Sequence, residues 1–226
     1  MHKFNFPILS ITNSKLIVFT DGFGDFVEKL PMYLKYLIVS FLVICFLLPG
    51  IKSIPPLDRD EARFSQASKQ MLEDQNYVVI KFQDELRAKK PIGIYWVQSL
   101  SAYIFGKESI TSYRIPNVIA FITLTLVFST FVYNIAYRYF DVAFSTAINY
   151  SLLTSILLSI IFGFAIEIKQ AKTDSILLML CTIQQLIFWK IYNYGKESWN
   201  IYKHNDHAGL VRLFWFILAL GILIKG

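Results

Sequence analysis

Charged residues are absent from long parts of this 226-residue chain. Ile115–Tyr137 and Val142–Ile166 contain no Asp, Glu, Lys or Arg. Each run exceeds the roughly 20 residues that a helix needs to cross the hydrocarbon core of a bilayer. Because 55% of the chain is also hydrophobic, an ordinary soluble domain is excluded. We therefore predict a polytopic α-helical membrane protein.

Other features that the sequence lacks narrow the function. Only two cysteines occur, Cys45 and Cys181, and both lie in predicted spans, so neither indicates a redox compartment. A Gly-rich phosphate loop and a Rossmann pattern are both missing, so a nucleotide substrate is not expected. The basic residues are scattered, so the net charge of +6 does not predict a nucleic-acid partner.

The apolar runs predict four complete spans and an incomplete fifth. They are Tyr36–Ile51, extended back to Leu30; Ile115–Tyr137; Val142–Ile166; Ser175–Trp189, extended to Tyr194; and Leu213–Ile224. We predict that residues 1–32 form an N-terminal cytoplasmic tail.

One further apolar segment, IGIYWVQSLSAYIFG, Ile92–Gly106, is uncharged but short. At about 1.5 Å per residue it reaches roughly 22 Å, against a hydrocarbon core of about 30 Å. Its mixture of polar and aromatic residues is typical of a helix at the membrane interface. We predict an interfacial helix anchored by Tyr95 and Trp96, and we interpret Arg114 as an anchor whose side chain snorkels to the interface.

This prediction decides which residues share a side of the membrane. If Ile92–Gly106 is interfacial, a first loop runs over residues 52–114 between the first two spans. It holds two helices near the membrane, around Asp58–Asp74 and Lys90–Gly106. Asp60 and Asp174 then face the same compartment. If Ile92–Gly106 crosses the membrane instead, the two acids face opposite compartments. The positive-inside rule favours a cytoplasmic N-terminus.

A dense charge cluster, DRDEAR, Asp58–Arg63, follows the first span. Local structure explains part of it. Asp58 is a natural helix N-cap, and Glu61 follows three residues later in capping-box spacing. Acids in the first turn also complement the positive end of the helix dipole.

A helix cap does not require two Asp, a Glu and two Arg, so capping leaves part of the charge cluster unexplained. The same loop also contains the basic segment ELRAKKPIGIYW, with Arg87, Lys89 and Lys90. A carboxylate can accept a proton from an attacking hydroxyl, whereas Lys and Arg bind a phosphate and stabilise it as it leaves. Such groups at a membrane surface indicate phosphate-linked chemistry on a lipid. QAKTDSILL adds Lys172 and Asp174 at the start of the fourth span, where Asp174 also fits a helix cap.

These segments together resemble the N-terminal part of polytopic GT-C glycosyltransferases that use polyprenyl-phosphate sugars. This family includes protein O-mannosyltransferases and the aminoarabinose transferases that modify lipid A. The resemblance extends from Leu57 to Gly226 and is carried by DRDEARFSQASKQMLE, KKPIGIYWVQSLSAYIFG, SYRIPNVIA, AKTD and ALGILIKG. It implies an all-α GT-C-like fold of four to five transmembrane helices, with two interfacial helices in the first extracytoplasmic loop. Residues 33–226 would be the N-terminal part of the membrane domain.

The resemblance also implies roles for individual residues. Asp60 corresponds to the essential acid of the first loop, and Asp174 corresponds to a second catalytic acid. Glu61 and Arg63 belong to the substrate-binding motif around Asp60. Lys90 matches a lysine near the donor phosphate.

Members of the aminoarabinose branch have an acid before this lysine that helps to hold a metal, whereas Lys89 stands there in this chain. No metal ligand is therefore assigned, and a divalent cation stays an open alternative. The resemblance implies a polyprenyl-phosphate sugar donor, a lipid or protein acceptor, contact with membrane lipids, and transfer with inversion. It places the chain in a bacterial inner membrane with the first loop in the periplasm.

Family members continue beyond the KG step with more spans, so we expect an N-terminal fragment that can be inactive by itself. A non-catalytic membrane subunit or remnant is the alternative. A transporter component is less favoured, because transporters carry ionisable residues within their spans and the complete spans here are uncharged.

Overall fold

The computed structural model describes residues 30–56, 58–140, 142–161, 166–197 and 204–226; most of the predicted tail, residues 1–29, lies outside them. The main helices are α1 Met32–Leu47, α2 Arg59–Glu73, α3 Gly93–Phe105, α4 Ile110–Tyr139, α5 Phe144–Ile160, α6 Asp174–Glu197 and α7 His204–Ile224. Strands β1 Lys81–Phe82 and β2 Glu85–Leu86 pair antiparallel between α2 and α3. The described chain is therefore helical apart from one small hairpin.

Each of the five predicted spans contains a helix, namely α1 and α4 to α7. Within the described ranges, two helices are long and apolar enough to cross a membrane, Ile110–Tyr137 and Asp174–Asn193. Two apolar helices there are shorter, Thr146–Ile160 and Ala208–Ile224. Large apolar side chains remain exposed on these helices, among them Leu153, Leu157, Phe188, Trp215 and Phe216. Lipid supplies the apolar surroundings that such a surface needs. The predicted all-α membrane fold is confirmed.

The third predicted span differs from the sequence-based expectation. Its helix, α5, ends at Ile160, and Ile161 has extended backbone with φ −64° and ψ 113°. Beyond the undescribed residues 162–165, Ile168 and Ala171 are buried at 1% and 0% exposure. The prediction of one continuous span to Ile166 was wrong, because α5 ends at Ile160 with extended backbone at Ile161, and Ile168 and Ala171 further on are buried in the core.

Helix α4 begins at Ile110, before the predicted start of its span, and it contains Pro116. Proline has no N–H, so the carbonyl of Ser112 loses its partner within the helix. The Ser101 hydroxyl donates a hydrogen bond to that carbonyl at 2.5 Å. A side chain from α3 therefore satisfies the carbonyl that the proline leaves open, and α4 continues through it.

Helices α2 and α3 correspond to the two helices predicted in the first loop. The polar side chains Gln98, Ser99 and Ser101 of α3 are buried, whereas Leu100, Tyr103 and Ile104 are exposed. The buried amide of Gln98 accepts a hydrogen bond from the Ser68 hydroxyl at 2.9 Å and donates to the carbonyl of Ala171 at 3.0 Å. A helix with satisfied polar groups inside and apolar groups outside is suited to the membrane interface.

The first loop and the bundle share one apolar core. Its members come from α2, α3, α4, α6, α7 and the residue before β1: Phe64, Ala67, Met71, Ile80, Ile94, Tyr95, Ala120, Ile176, Leu180 and Ile224. Burial of this many apolar side chains fixes the first loop on the ends of α6 and α7. The loop is therefore a packed part of the fold.

The hairpin was not predicted. Its turn contains Gln83 with a positive φ of 58°, where a hairpin turn usually has Gly or Asn. The side-chain amide of Gln70 holds this turn, because Nε2 donates to the Gln83 carbonyl at 2.8 Å and Oε1 accepts from the Gln83 N–H at 3.0 Å. Support from α2 thus replaces the turn residue that sequence rules look for.

Candidate functional site

Asp58 connects the start of α2 to the segment before α6. Its side chain accepts a hydrogen bond from the Asp60 N–H at 2.9 Å, which confirms the predicted N-cap. Its other carboxylate oxygen lies 2.5 Å from Nζ of Lys172. The hydrogen bond with Lys172 and the one from the Asp60 N–H lower the pKa of Asp58. Asp58 therefore caps one helix and holds the approach to another.

Lys172 is the cation of this link and also lies 3.6 Å from a carboxylate oxygen of Glu167. Burial by itself would lower the pKa of Lys172, but the hydrogen bond with Asp58 and the charge of Glu167 raise it above its usual value. The lysine therefore stays charged, and its position is fixed by two acids.

Glu61 makes a buried ion pair. Its Oε1 accepts a hydrogen bond from Nε of Arg114 at 2.7 Å, and both side chains are 0% exposed. The same oxygen accepts from the N–H of Ala171 at 3.0 Å. The capping-box interpretation of Glu61 was wrong, because its carboxylate turns inward to a buried guanidinium. Its predicted contact with substrate stays a prediction.

Arg114 does not snorkel to the interface. Its Nη1 donates to the carbonyls of Ile51 and Ile54, each at 2.7 Å, at the end of the first span. The sequence-based interpretation was wrong because Glu61 and these two carbonyls accept hydrogen bonds from Nε and Nη1 inside the protein, in place of water. Arg114 thereby joins α4, α2 and the end of the first span.

The links from Asp58 and Glu61 place two sequence motifs at one end of the molecule. We call this region the charged end and define it as residues 58–63 and 171–174. Asp60 lies between the two linking acids, and Asp174 begins α6 two residues after Lys172. The acids therefore lie at the same end of the bundle, as expected if Ile92–Gly106 is interfacial.

Asp60 is half-buried in the first turn of α2. Within the described residues its carboxylate has no hydrogen-bond partner, so it can accept one from a substrate. Arg63, three residues further on, is also half-buried and lies on the same helix face, where residues three apart are neighbours. The site thus offers an acid with a nearby cation.

Tyr95 lies deep in the site at 0% exposure, so its predicted role as an interface anchor was wrong. Its ring packs 5.6 Å from that of Phe64, and its hydroxyl accepts a hydrogen bond from Nε of Arg87 at 2.8 Å. Burial and the negative charge of Asp60 raise the pKa of Tyr95, against an opposing effect of Arg87. Trp96, by contrast, is 43% exposed.

The Lys90–Pro91 step lies against the end of α7. A Cβ added to Gly226 would stand 3.6 Å from Cγ of Pro91, and one added to Gly93 would stand 2.6 Å from the carbonyl oxygen of Leu223. Only glycine at position 93 permits so close an approach of the two helices. Lys90 itself is half-buried.

Asp174 pairs with a residue at the same end of α7. Nζ of Lys225 lies 2.6 Å from a carboxylate oxygen of Asp174, and both side chains are partly exposed. Lys225 is adjacent to Gly226, so this pair lies next to the Lys90–Pro91 step. The chain segments of Asp174, Lys225 and Lys90 therefore converge.

The structure brings some of the predicted site residues together indirectly. Within the described residues no direct contact joins Asp60 to Asp174, or Arg63 to Lys90. Lys225 and Tyr95 are the residues of the site to which sequence reasoning gave no chemical role. The available signal for Lys225 was a single charge closing the apolar run ALGILIK.

A divalent cation is held in a protein by a group of ligating side chains. Among the described residues, no three His, Cys, Asp or Glu side chains are grouped so that they could hold a metal. Lys89, at the position where the family resemblance predicts an acid, is an exposed cation.

The described residues form an all-α membrane bundle with a charged first loop packed on the start of a later span, and this is a fold of the GT-C glycosyltransferase class. The same fold occurs in the crystal structure of ArnT from Cupriavidus metallidurans bound to undecaprenyl phosphate, with a TM-score of 0.67 and 16% identity over 84% of this chain and 32% of that one. The sequence profile of the dolichyl-phosphate-mannose-protein mannosyltransferase family matches residues 89–226, and the chain belongs to this family.

Two relatives carry the name undecaprenyl phosphate-alpha-4-amino-4-deoxy-L-arabinose arabinosyl transferase. The one from Yersinia pestis (strain Pestoides F) is 34% identical over 73 residues, which is 32% of this chain and 13% of the relative. The one from Shewanella sediminis (strain HAW-EB3) is 26% identical over 105 residues, which is 46% of this chain and 18% of the relative. The matched regions are thus less than a fifth of either relative.

Proposed function

We propose that this chain forms the charged first-loop site of a membrane glycosyltransferase that moves a sugar from a polyprenyl phosphate to a lipid A-like or protein acceptor. The proposal rests on one observation above all. The Asp58–Lys172 pair and the bond from Ala171 to Glu61 hold the turn that carries Asp60 against the segment that leads to Asp174. Family membership and the names of the relatives support the donor class.

In the proposed reaction, the Asp60 carboxylate orients an acceptor hydroxyl or phosphate and takes its proton when it carries one. The acceptor oxygen forms a bond to the anomeric carbon while the bond from that carbon to the phosphate oxygen breaks. The leaving polyprenyl phosphate takes the electron pair, and its charge is stabilised by Lys90 and Arg63. Attack from the face opposite the phosphate inverts the anomeric configuration.

Asp174 has a different environment from Asp60, because its carboxylate is bound to Lys225 at 2.6 Å. In this proposal Asp174 acts with Asp60 at the acceptor and keeps Lys225 beside the Lys90–Pro91 step. The first loop lies on the periplasmic side of a bacterial inner membrane, where polyprenyl-linked donors and their acceptors meet.

A transfer assay tests this function. The chain is reconstituted in bilayer nanodiscs with a radiolabelled undecaprenyl-phosphate sugar and either lipid A or a protein acceptor. Label is expected to move to one acceptor class with the unsubstituted chain and to stay on the donor with Asp60→Asn, while the thermal unfolding midpoint is unchanged. Full transfer by Asp60→Asn would remove Asp60 from the mechanism.

The alternative function is that of a non-catalytic membrane component that binds the donor without transfer. The chain covers 32% of the ArnT chain with which it shares its fold. Saturable binding of undecaprenyl phosphate with no transfer to either acceptor would support this second function.

A further inference from the structure

Arg87 is held rigidly beside the candidate active site. Its Cζ lies 5.4 Å from the ring centroid of Phe64 and 6.0 Å from that of Phe82. Its Nε donates to the Tyr95 hydroxyl at 2.8 Å, and its backbone N–H donates to the carbonyl of Ile80 at 2.8 Å. Contacts from α2, the hairpin and α3 therefore fix both the position and the plane of the guanidinium.

This fixed cation has no acidic partner among the described residues. Within the described part of the chain, the guanidinium donates a side-chain hydrogen bond through Nε alone. The side chain is half-buried, so its two terminal amino groups can bind a ligand. Fixing a long side chain in one conformation costs rotamer entropy. For Arg87, packing against the rings of Phe64 and Phe82 offsets that cost before any ligand binds. The planar guanidinium of arginine can donate two parallel hydrogen bonds to two oxygens of a phosphate, whereas the ammonium of lysine cannot bind in this bidentate way.

The location of Arg87 connects it to Asp60. Phe64, which packs against Arg87, follows Asp60 by one helical turn on α2, and residues four apart share a helix face. Tyr95, the hydrogen-bond partner of Arg87, packs on the same Phe64 ring. The guanidinium thus lies next to the turn that carries the proposed base.

We propose that Arg87 is a phosphate-binding residue of this site, whose terminal amino groups bind the phosphate ester of a substrate. The inference rests on the proposed function. Arg87 would join Lys90 and Arg63 as a third cation of the site. Among the described residues, only Arg87 of these three has its side chain held by aromatic packing and a hydrogen bond. The phosphate belongs either to the polyprenyl donor or to a phosphorylated glycolipid acceptor, since both offer the same chemistry.

Binding measurements on the full chain in nanodiscs test this role. The probes are undecaprenyl phosphate and its uncharged analogue undecaprenol for the donor, and lipid A and its dephosphorylated form for the acceptor. Arg87→Gln should weaken binding of one phosphorylated probe by about tenfold or more and leave the uncharged analogue unaffected. Arg87→Lys, which keeps the charge and the aromatic packing, should give a smaller loss. Lys81→Gln, which removes an exposed cation of β1 that the site does not include, should change affinity by less than about twofold.

The outcomes separate this inference from the proposed function. A loss confined to undecaprenyl phosphate assigns Arg87 to the donor, and a loss confined to lipid A assigns it to the acceptor. If the unsubstituted chain prefers a phosphorylated probe and both Arg87 variants keep that preference, the role of Arg87 is refuted while the function stands. If the unsubstituted chain prefers neither phosphorylated probe, the proposed function and the role of Arg87 fail together.

Discussion

Nε of Arg114 donates a hydrogen bond to Oε1 of Glu61 across 2.7 Å, and neither side chain has any exposed surface. The two residues are separated by 53 positions in the chain and join α4 to the first turn of α2. Among the residues that the structure describes, the second carboxylate oxygen of Glu61 and Nη2 of Arg114 have no hydrogen-bond partner. The pair therefore fixes the position of the turn that carries Asp60. Burying both charges with incomplete hydrogen bonding costs desolvation free energy.

Removing one member of the pair should be strongly destabilising. Arg114→Met leaves a buried carboxylate without its cation, and Glu61→Leu leaves a buried guanidinium without its anion. Each single variant is expected to lose about 3–5 kcal/mol of unfolding free energy. Chemical unfolding in detergent micelles, followed by far-UV circular dichroism, measures this loss.

The double variant is the control for that experiment. Glu61→Leu combined with Arg114→Met removes both charges, so the loss should be smaller than for either single variant. A double variant as unstable as the sum of the singles would show that the two charges act independently.

The Asp58–Lys172 pair should make stability depend on pH at both ends of the scale. The pKa of Asp58 lies below its ordinary value of 3.8, so its contribution is complete above that pH and is lost as pH falls through the lower folded value. The pKa of Lys172 lies above 10.5, so its contribution is complete below that pH and is lost as pH rises through the higher folded value.

Asp58→Asn isolates the effect of charge, because asparagine keeps the N-cap. The variant should unfold more easily than the unsubstituted chain at neutral pH. The difference should shrink as pH falls below 3.8 and disappear once pH has fallen through the lower folded pKa of Asp58. Thermal unfolding midpoints across the pH range measure this. A difference that persists undiminished in acid would mean that the ion pair does not link α2 to α6.

Gly93 should be intolerant of any side chain. An added Cβ would stand 2.6 Å from the Leu223 carbonyl oxygen, so Gly93→Ala should separate α3 from α7 and cost about 1–3 kcal/mol. Gly209→Ala in α7 is the matched control, since no atom lies within 4 Å of its added Cβ. Equal effects of the two substitutions on the unfolding midpoint would contradict the close packing of α3 on α7.

Tyr95 should act on phosphate binding through Arg87. Burial and the charge of Asp60 raise the pKa of Tyr95, so its hydroxyl stays neutral and accepts the Arg87 bond. Tyr95→Phe removes that acceptor, and affinity for the phosphorylated probe that Arg87 binds should fall about two- to tenfold. Binding of the uncharged analogue should be unchanged. Tyr103→Phe, at an exposed position on α3, should leave both affinities unaltered.

The helical segments were predictable because apolar runs and caps are local signals. Asp58 illustrates this, since its N-cap depends only on residues next to it. Glu61 and Arg114 illustrate the opposite. Local rules assigned Glu61 to a capping box and Arg114 to the interface, whereas each is the partner of the other across 53 positions. A single sequence contains no sign of such a pairing.

In the candidate site, too, local features were predictable from the sequence and tertiary contacts were not. The basic run before α3 was visible in the sequence, but it did not distinguish Arg87 from Lys89. That distinction comes from Phe64 and Tyr95, which tertiary packing brings to Arg87 and not to Lys89. Lys225 likewise gained a role only when α7 placed it 2.6 Å from Asp174.

Photolabelling of the reconstituted chain tests the central claim most directly. The probe is a polyprenyl phosphate with a diazirine beside the phosphate, and labelled peptides are identified by mass spectrometry. We predict labelling of residues 58–63 and 87–95 that undecaprenyl phosphate suppresses and undecaprenol does not. Labelling spread over the lipid-facing sides of α5 and α7, and suppressed equally by both competitors, would contradict a phosphate-binding site at the charged end.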